Sequence, residues 1–189
     1  MSMAGRASGM SLDIDLPWLM VKVKFTGDRG AGMGRGIARV VTSYNVTVSK
    51  VSVGSKVLHV NFDAIFDTGT SFTYLNDPAY TMISESFNSQ VTESRYYPNS
   101  SLFHANPNGF QPPSVDLTMS GGDQFSVTDP MRYYTYLESL DGEIVSYVYC
   151  LALVLTKDTN IIGQNFMTGY SIVFDRENMV LGWEESNCE

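Results

Sequence analysis

The chain is poor in cysteine, histidine and positive charge, and each shortage excludes a class of function. Two cysteines, Cys150 and Cys188, are too few for a disulfide framework, and no metal-ligand spacing surrounds them. The only histidines, His59 and His104, stand isolated and read as surface or strand-end residues rather than ligands. No metal and no cofactor is therefore expected. Twelve Lys and Arg against twenty Asp and Glu leave a net charge of −8. Nucleic acid and anionic membrane both need clustered cations, so neither is expected as a partner. No apolar run reaches the roughly 20 residues of a membrane span. A signal-peptide pattern is also missing, because residues 12–25 are interrupted by charge and by Pro17.

What is present is enough for a core. The 189 residues are 43% hydrophobic and 12% aromatic, which suits one domain or one lobe of a larger protein. Residues 1–11 are small and polar and are expected to fray. Val21 to Phe25 alternates as a half-exposed strand. Gly30-x-Gly32-x-Gly34 has neither a βαβ setting nor a following Lys-Ser/Thr pair, so it reads as a flexible loop rather than a phosphate site. From Tyr44 the pattern is strand after strand. Tyr44–Val53 and Lys56–Val60 form a hairpin about Gly54-Ser55, and Phe62–Phe66 follows. Asp77 and Pro78 open a helix whose stripe Tyr80, Ile83, Phe87 and Val91 carries it to about Glu93. Residues 96–113 form an irregular connection. Strands return at Ser114–Met119 and Gln124–Val127, and Ile144–Leu155 reads as one long strand buried on both faces. Ile161-Ile162-Gly163 is a short strand, Gln164–Met167 a helical turn closed by Gly169, and Tyr170–Asp175 with Met179–Trp183 a last hairpin.

The stretch with chemistry in it is Phe66-Asp67-Thr68-Gly69-Thr70-Ser71. An apolar strand runs into a turn that presents one carboxylate among small residues. Gly69 lets the backbone turn and approach another segment, and the hydroxyls of Thr68, Thr70 and Ser71 can donate to a carboxylate. Asp-Thr-Gly alone is a weak signal. Two further stretches strengthen it: Asn160-Ile161-Ile162-Gly163-Gln164-Asn165-Phe166, and Val173-Phe174-Asp175 followed by Leu181-Gly182-Trp183.

From about Tyr44 to Cys188 these motifs resemble the carboxy-terminal lobe of the pepsin-like aspartic peptidases in their plant version. Phe72-Thr73-Tyr74-Leu75 and Asp77-Pro78-Ala79-Tyr80 are part of the match. The resemblance implies a mainly β fold, a single lobe of the double-psi β-barrel type with one or two short helices. It divides the chain into a poorly defined extension, residues 1–43, and the lobe, residues 44–189. It also implies that Asp67 is the catalytic carboxylate, that Thr70 bonds it, and that Thr68 bonds across a lobe interface. Gly69, Ser71, Ile162 and Gly163 support the loop, with Gly163 lying next to Gly69. The implied substrate is a polypeptide, and the implied route is secretory: extracellular, vacuolar or membrane-anchored. In that setting Asn45-Val46-Thr47 and Asn99-Ser100-Ser101 are acceptor patterns for glycosylation at Asn45 and Asn99.

Two departures from the family qualify this. Its amino-terminal lobe, with a second Asp-Thr-Gly, has no counterpart in residues 1–40, so the chain holds one half of a carboxylate pair. Residues 101–111 lack the family's Cys, which leaves Cys150 a free thiol or, alternatively, bridged to Cys188. Three functions are consistent with this: a peptidase lobe that needs a second lobe (from another chain or from a second copy), a non-catalytic binding module like the xylanase inhibitors, or an inactive truncated product. Little or no turnover is expected from the chain alone.

Overall fold

The valine spacing after Tyr44 slips once, and the slip shapes the central strand. Val46 and Val48 are buried, and then Val51 and Val53, so the apolar phase advances by one residue across Ser49 and Lys50. Strand side chains alternate faces with a period of two, so keeping all four valines inward requires a bulge. The computed structural model has one at that place: pairing with Val115–Met119 changes register between Val48 and Lys50. The Ser49 hydroxyl donates to the Thr118 and Met119 carbonyls beside it, each at 3.2 Å.

The structure describes residues 22–26, 36–39, 45–93, 95, 101–104, 111–137 and 144–186, with backbone alone at 22–26, 36–39, 135–137 and 144–146. In chain order the strands are β1 (Lys22–Thr26), β2 (Gly36–Arg39), β3 (Asn45–Val53), β4 (Lys56–Leu58), β5 (Phe62–Phe66) and β6 (Thr73–Leu75). Helix α1 (Ala79–Asn88) follows, then β7 (Phe103–His104), β8 (Val115–Met119), β9 (Gln124–Val127), β10 (Met131–Leu137) and β11 (Ile144–Leu151). The chain closes with β12 (Leu153–Leu155), β13 (Ile161–Ile162), α2 (Gln164–Met167), β14 (Tyr170–Asp175) and β15 (Val180–Glu185). The fold is mainly β with two short helices, a single pepsin-like lobe.

Among the described residues the strands form three sheets. The largest runs β12-β6-β13-β5-β3-β8-β9 with β4 hairpinned onto β3; a second runs β10-β11-β7; a third runs β1-β14-β15-β2. Two stretches of the segment read as an ill-defined extension are strands of the third sheet, β1 parallel to β14 and β2 antiparallel to β15. The Gly30–Gly34 run, Asn99 and Cys188 lie outside the described residues.

Between the sheets the core is built on aromatic contacts. Phe66 meets Phe125 edge-on at 5.4 Å between ring centres, and Phe125 lies 4.7 Å from Tyr170 and 5.5 Å from Trp183. Such pairs add to area burial because each ring's positive edge meets a neighbour's negative face. Phe66 immediately precedes Asp67, so this cluster anchors the strand that delivers the carboxylate.

Three expectations are corrected. The helix stops at Asn88 rather than continuing to Glu93, because Gln90 turns back. Its Nε2 donates to the Val53 and Ser86 carbonyls, and its Oε1 accepts from the backbone N–H and hydroxyl of Ser55, so it staples the chain to the β3–β4 turn. At the other end Asp77 caps from just outside the helix, accepting from the N–H and hydroxyl of Thr81. The long strand from Ile144 divides at Ala152, whose N–H donates to Pro130 and whose carbonyl accepts from Asn165 Nδ2. Its two halves join different sheets, and Tyr147, Val154 and Leu155 are exposed rather than buried. Finally, β10 is a strand where none was expected. Its Arg-Tyr-Tyr-Thr-Tyr run has strand-forming residues but no apolar-polar alternation.

Candidate active site

Strands β5 and β13 lie parallel, Ile65 beside Ile161 and Phe66 beside Ile162. The pairing continues past the end of β5, where the Asp67 N–H donates to the Ile162 carbonyl at 3.0 Å. Asp67 is thus held by the sheet on its backbone side while the chain beyond it turns. Inside the turn its two carboxylate oxygens have separate donors. The Gly69 N–H donates to Oδ1 at 2.9 Å, and the Thr70 hydroxyl to Oδ2 at 2.7 Å. Both are short and fix the plane of the carboxylate. Asp67 and Thr68 are half-buried, and Gly69 and Ser71 exposed. Among the described residues the Thr68 and Ser71 side chains make no hydrogen bond, so those hydroxyls are available to groups outside the lobe.

The far side of the loop is clamped by the segment after β13. Gln164 N–H donates to the Thr70 carbonyl at 2.8 Å and Asn165 N–H to the Ser71 carbonyl at 3.2 Å. Gly163 makes this approach possible, because a Cβ there would collide with the Phe72 carbonyl and lie 2.8 Å from the Thr70 oxygen. This corrects one expectation: Gly163 packs on the carbonyls of Thr70 and Phe72, not on Gly69. Gly69 answers a different need, since a Cβ there would sit 3.2 Å from Asp67 Oδ1 and crowd the carboxylate itself.

Beneath the loop is a buried polar chain that sequence reading did not single out. The Gly163 N–H donates to Thr73 Oγ1 at 3.1 Å, Thr73 Oγ1 donates to Asn165 Oδ1 at 2.9 Å, and Asn165 Nδ2 donates to the Ala152 carbonyl at 2.6 Å. Thr73 and Asn165 are both buried. The available signal was a hydroxyl and an amide standing among aromatic and aliphatic neighbours. Asn165→Leu keeps the branched shape but strands two partners, the Thr73 hydroxyl and the Ala152 carbonyl, in the interior. It is expected to cost about 2–4 kcal/mol, read as a lower midpoint in urea unfolding. A change within experimental error would show that the network does not brace the loop.

Asn160, just before β13, plays a similar part near the start of β5. Its Oδ1 accepts from the Asn76 N–H and its Nδ2 donates to the Asp63 carbonyl, each at 2.8 Å. At the start of β3, Asn45 Oδ1 is buried and has no hydrogen-bond partner among the described residues, and Thr47 of the same triplet donates to Asp63.

Cys150 is a free, half-buried thiol. Burial pushes it up from the usual thiol range, against opposing pulls from the Tyr134 hydroxyl and the Arg132 guanidinium. Among the described residues no group of His, Cys, Asp and Glu could hold a metal ion, and no helix is long and apolar enough to cross a membrane.

The stretch of chain that builds this loop and its clamp matches known proteins. Residues 43–185 match the family described as Xylanase inhibitor C-terminal. Aspartyl protease family protein 1 of Arabidopsis thaliana is 45% identical over 174 residues, covering 86% of this chain and 33% of that protein. Aspartic proteinase-like protein 1 of the same plant is 29% identical over 154 residues, covering 78% of this chain and 28% of its own length. Candidapepsin-3 of Candida albicans is 30% identical over 161 residues, covering 80% and 37%. The chain belongs to the Xylanase inhibitor C-terminal family and, with these relatives, to the pepsin-like aspartic peptidases. It spans about a third of the length of the curated relatives it matches.

Proposed function

We propose that this lobe supplies one aspartate, Asp67, to a two-aspartate endopeptidase centre that is complete only when a second lobe faces it. The observation that carries the reading is the Asp67 carboxylate, oriented by Gly69 and Thr70 in a half-exposed loop. Asp-Thr-Gly occurs once in the sequence. Peptide hydrolysis by carboxylates needs two of them about 3 Å apart, which cannot both ionise and so share one proton. The charged member takes a proton from a water between them, and the water oxygen adds to the peptide carbon. The neutral member gives its proton to the carbonyl oxygen. Collapse of the resulting diol breaks the C–N bond; the leaving nitrogen takes the proton that the first carboxylate drew from water, and a diol hydroxyl returns its proton to the second. In this scheme Gly69 and Thr70 hold Asp67 in position, Thr68 reaches the facing lobe, and polypeptide is the substrate.

The facing lobe comes from an amino-terminal half or from a second copy of this chain. The inhibitor reading is less well supported, since the Asp67 loop keeps the donors a catalytic carboxylate uses. The test is cleavage of a denatured protein between about pH 3 and 5, the window of a shared-proton pair. The chain is assayed alone and then assembled with a lobe carrying its own Asp-Thr-Gly. Pepstatin-sensitive cleavage is expected only from the assembly. Activity of the chain alone that rises with the square of its concentration selects the self-paired form. Tight binding of a xylanase with no cleavage in either case overturns the proposal.

A further inference from the structure

Arg132 is a cation beside the Asp67 loop whose contacts among the described residues are two aromatic rings and the field it exerts on the Cys150 thiol. Its guanidinium lies over the Phe72 ring at 5.8 Å from the centroid and over the Tyr134 ring at 5.9 Å. The residue is exposed, and among the described residues it makes no hydrogen bond or ion pair. Stacking restrains the side chain before any ligand arrives, while the N–H groups at the edge of the plane stay free. That fork matches the two oxygens of a carboxylate.

Topology puts the fork where an extended chain crossing the loop would meet it. Strand β12 runs parallel to β6, with Leu153 beside Thr73. The residues before β12 therefore stand alongside those before Thr73, which are Phe72 and the Asp67 loop. They belong to β11, and Cys150 there is the cross-strand partner of Arg132 on β10. Arg132 and the exposed Tyr134 share one face of this hairpin, while the exposed Tyr133 and Tyr147 lie on the other. In a protein of net charge −8 a cation at this place sets a local preference against the general field.

We propose that Arg132, held by Phe72 and Tyr134, forms a subsite of the substrate cleft that selects a Glu or Asp side chain. The proposal rests on the peptidase reading for its purpose, but its test does not need turnover. Two acetylated and amidated hexapeptides, differing only in Glu or Gln at the third position, are titrated into the full chain at pH 5.5. The Arg132 Nε–Hε resonance is followed by NMR. The Glu peptide is expected to bind about ten-fold more tightly than the Gln peptide and to move that resonance. Arg132→Gln should bring the ratio to about one. Arg132→Lys, which keeps the charge without the planar fork, should retain only a small part of it.

Equal binding of the two peptides, binding of neither, or a Glu preference that survives Arg132→Gln would each overturn the subsite. The two readings also fail separately. Glu-selective binding without any cleavage by the assembled protein leaves the subsite standing and removes the peptidase function. Cleavage with no Glu preference does the reverse.

Discussion

Asp67→Asn is expected to lower kcat/KM of the assembled two-lobed protein at least about 10³-fold, almost entirely in kcat. The substitution is nearly isosteric. The amide oxygen can still accept from the Gly69 N–H that now meets Oδ1 at 2.9 Å, and the Thr70 hydroxyl, now on Oδ2 at 2.7 Å, can rotate to keep a partner. Loop geometry and substrate binding should therefore change little. The variant loses the ability to share a proton with a facing carboxylate, and no other acid occupies the loop. Steady-state kinetics at pH 4 beside a urea unfolding curve make the check. Unchanged stability with activity lost is the expected pair of results. A loss of less than ten-fold would place the chemistry elsewhere.

Gly163→Ala should have the largest effect on folding, about 3 kcal/mol or more, a large share of the 5–15 kcal/mol that ordinarily holds a domain together. The added methyl group meets main chain rather than a yielding side chain: the Phe72 carbonyl, and the Thr70 carbonyl at 2.8 Å. Relieving the clash means moving β13 off the loop. That would break the Gln164-to-Thr70 and Asn165-to-Ser71 hydrogen bonds and the bond from the Gly163 N–H to Thr73. The Asp67 N–H donates to the Ile162 carbonyl, so the carboxylate would move with the strand. Thermal or chemical denaturation measures the cost. A variant as stable as the parent would mean that the close approach is not needed.

Most of the lobe was legible because its strands carry one face inward. Alternation showed β3, β8, β14 and β15, and the short apolar run Ile161-Ile162 before Gly163 showed β13. What alternation cannot give is partners. Nothing in the run from Ile144 to Leu155 announces that Ala152 will spend its N–H on Pro130 and its carbonyl on Asn165, so one strand was expected where two sheets meet. The described tyrosines of β10, Tyr133 and Tyr134, are adjacent and both exposed, which erased the period that would have marked it. Gln90 ended the helix through hydrogen bonds to the Ser55 turn, thirty-five residues away in sequence.

Around the site, the turn at Asp67 and the nearness of Ile162 and Gly163 could be read from small residues and a family likeness. The contact surface of Gly163 could not, because it depends on which carbonyls the folded loop turns inward. Thr73 and Asn165 were passed over for a similar reason. A single hydroxyl or amide in an apolar run has no pattern to stand out against, and its worth lies in partners far along the chain.

The central claim is that the site is divided between two lobes, and counting bound pepstatin tests it most directly. Calorimetric titration at pH 4 should give no heat with this chain as a dilute monomer. It should give one inhibitor per assembly once a second lobe is added, or one per two copies if the chain pairs with itself. Stoichiometric binding of pepstatin by a monomer of this chain would contradict the account.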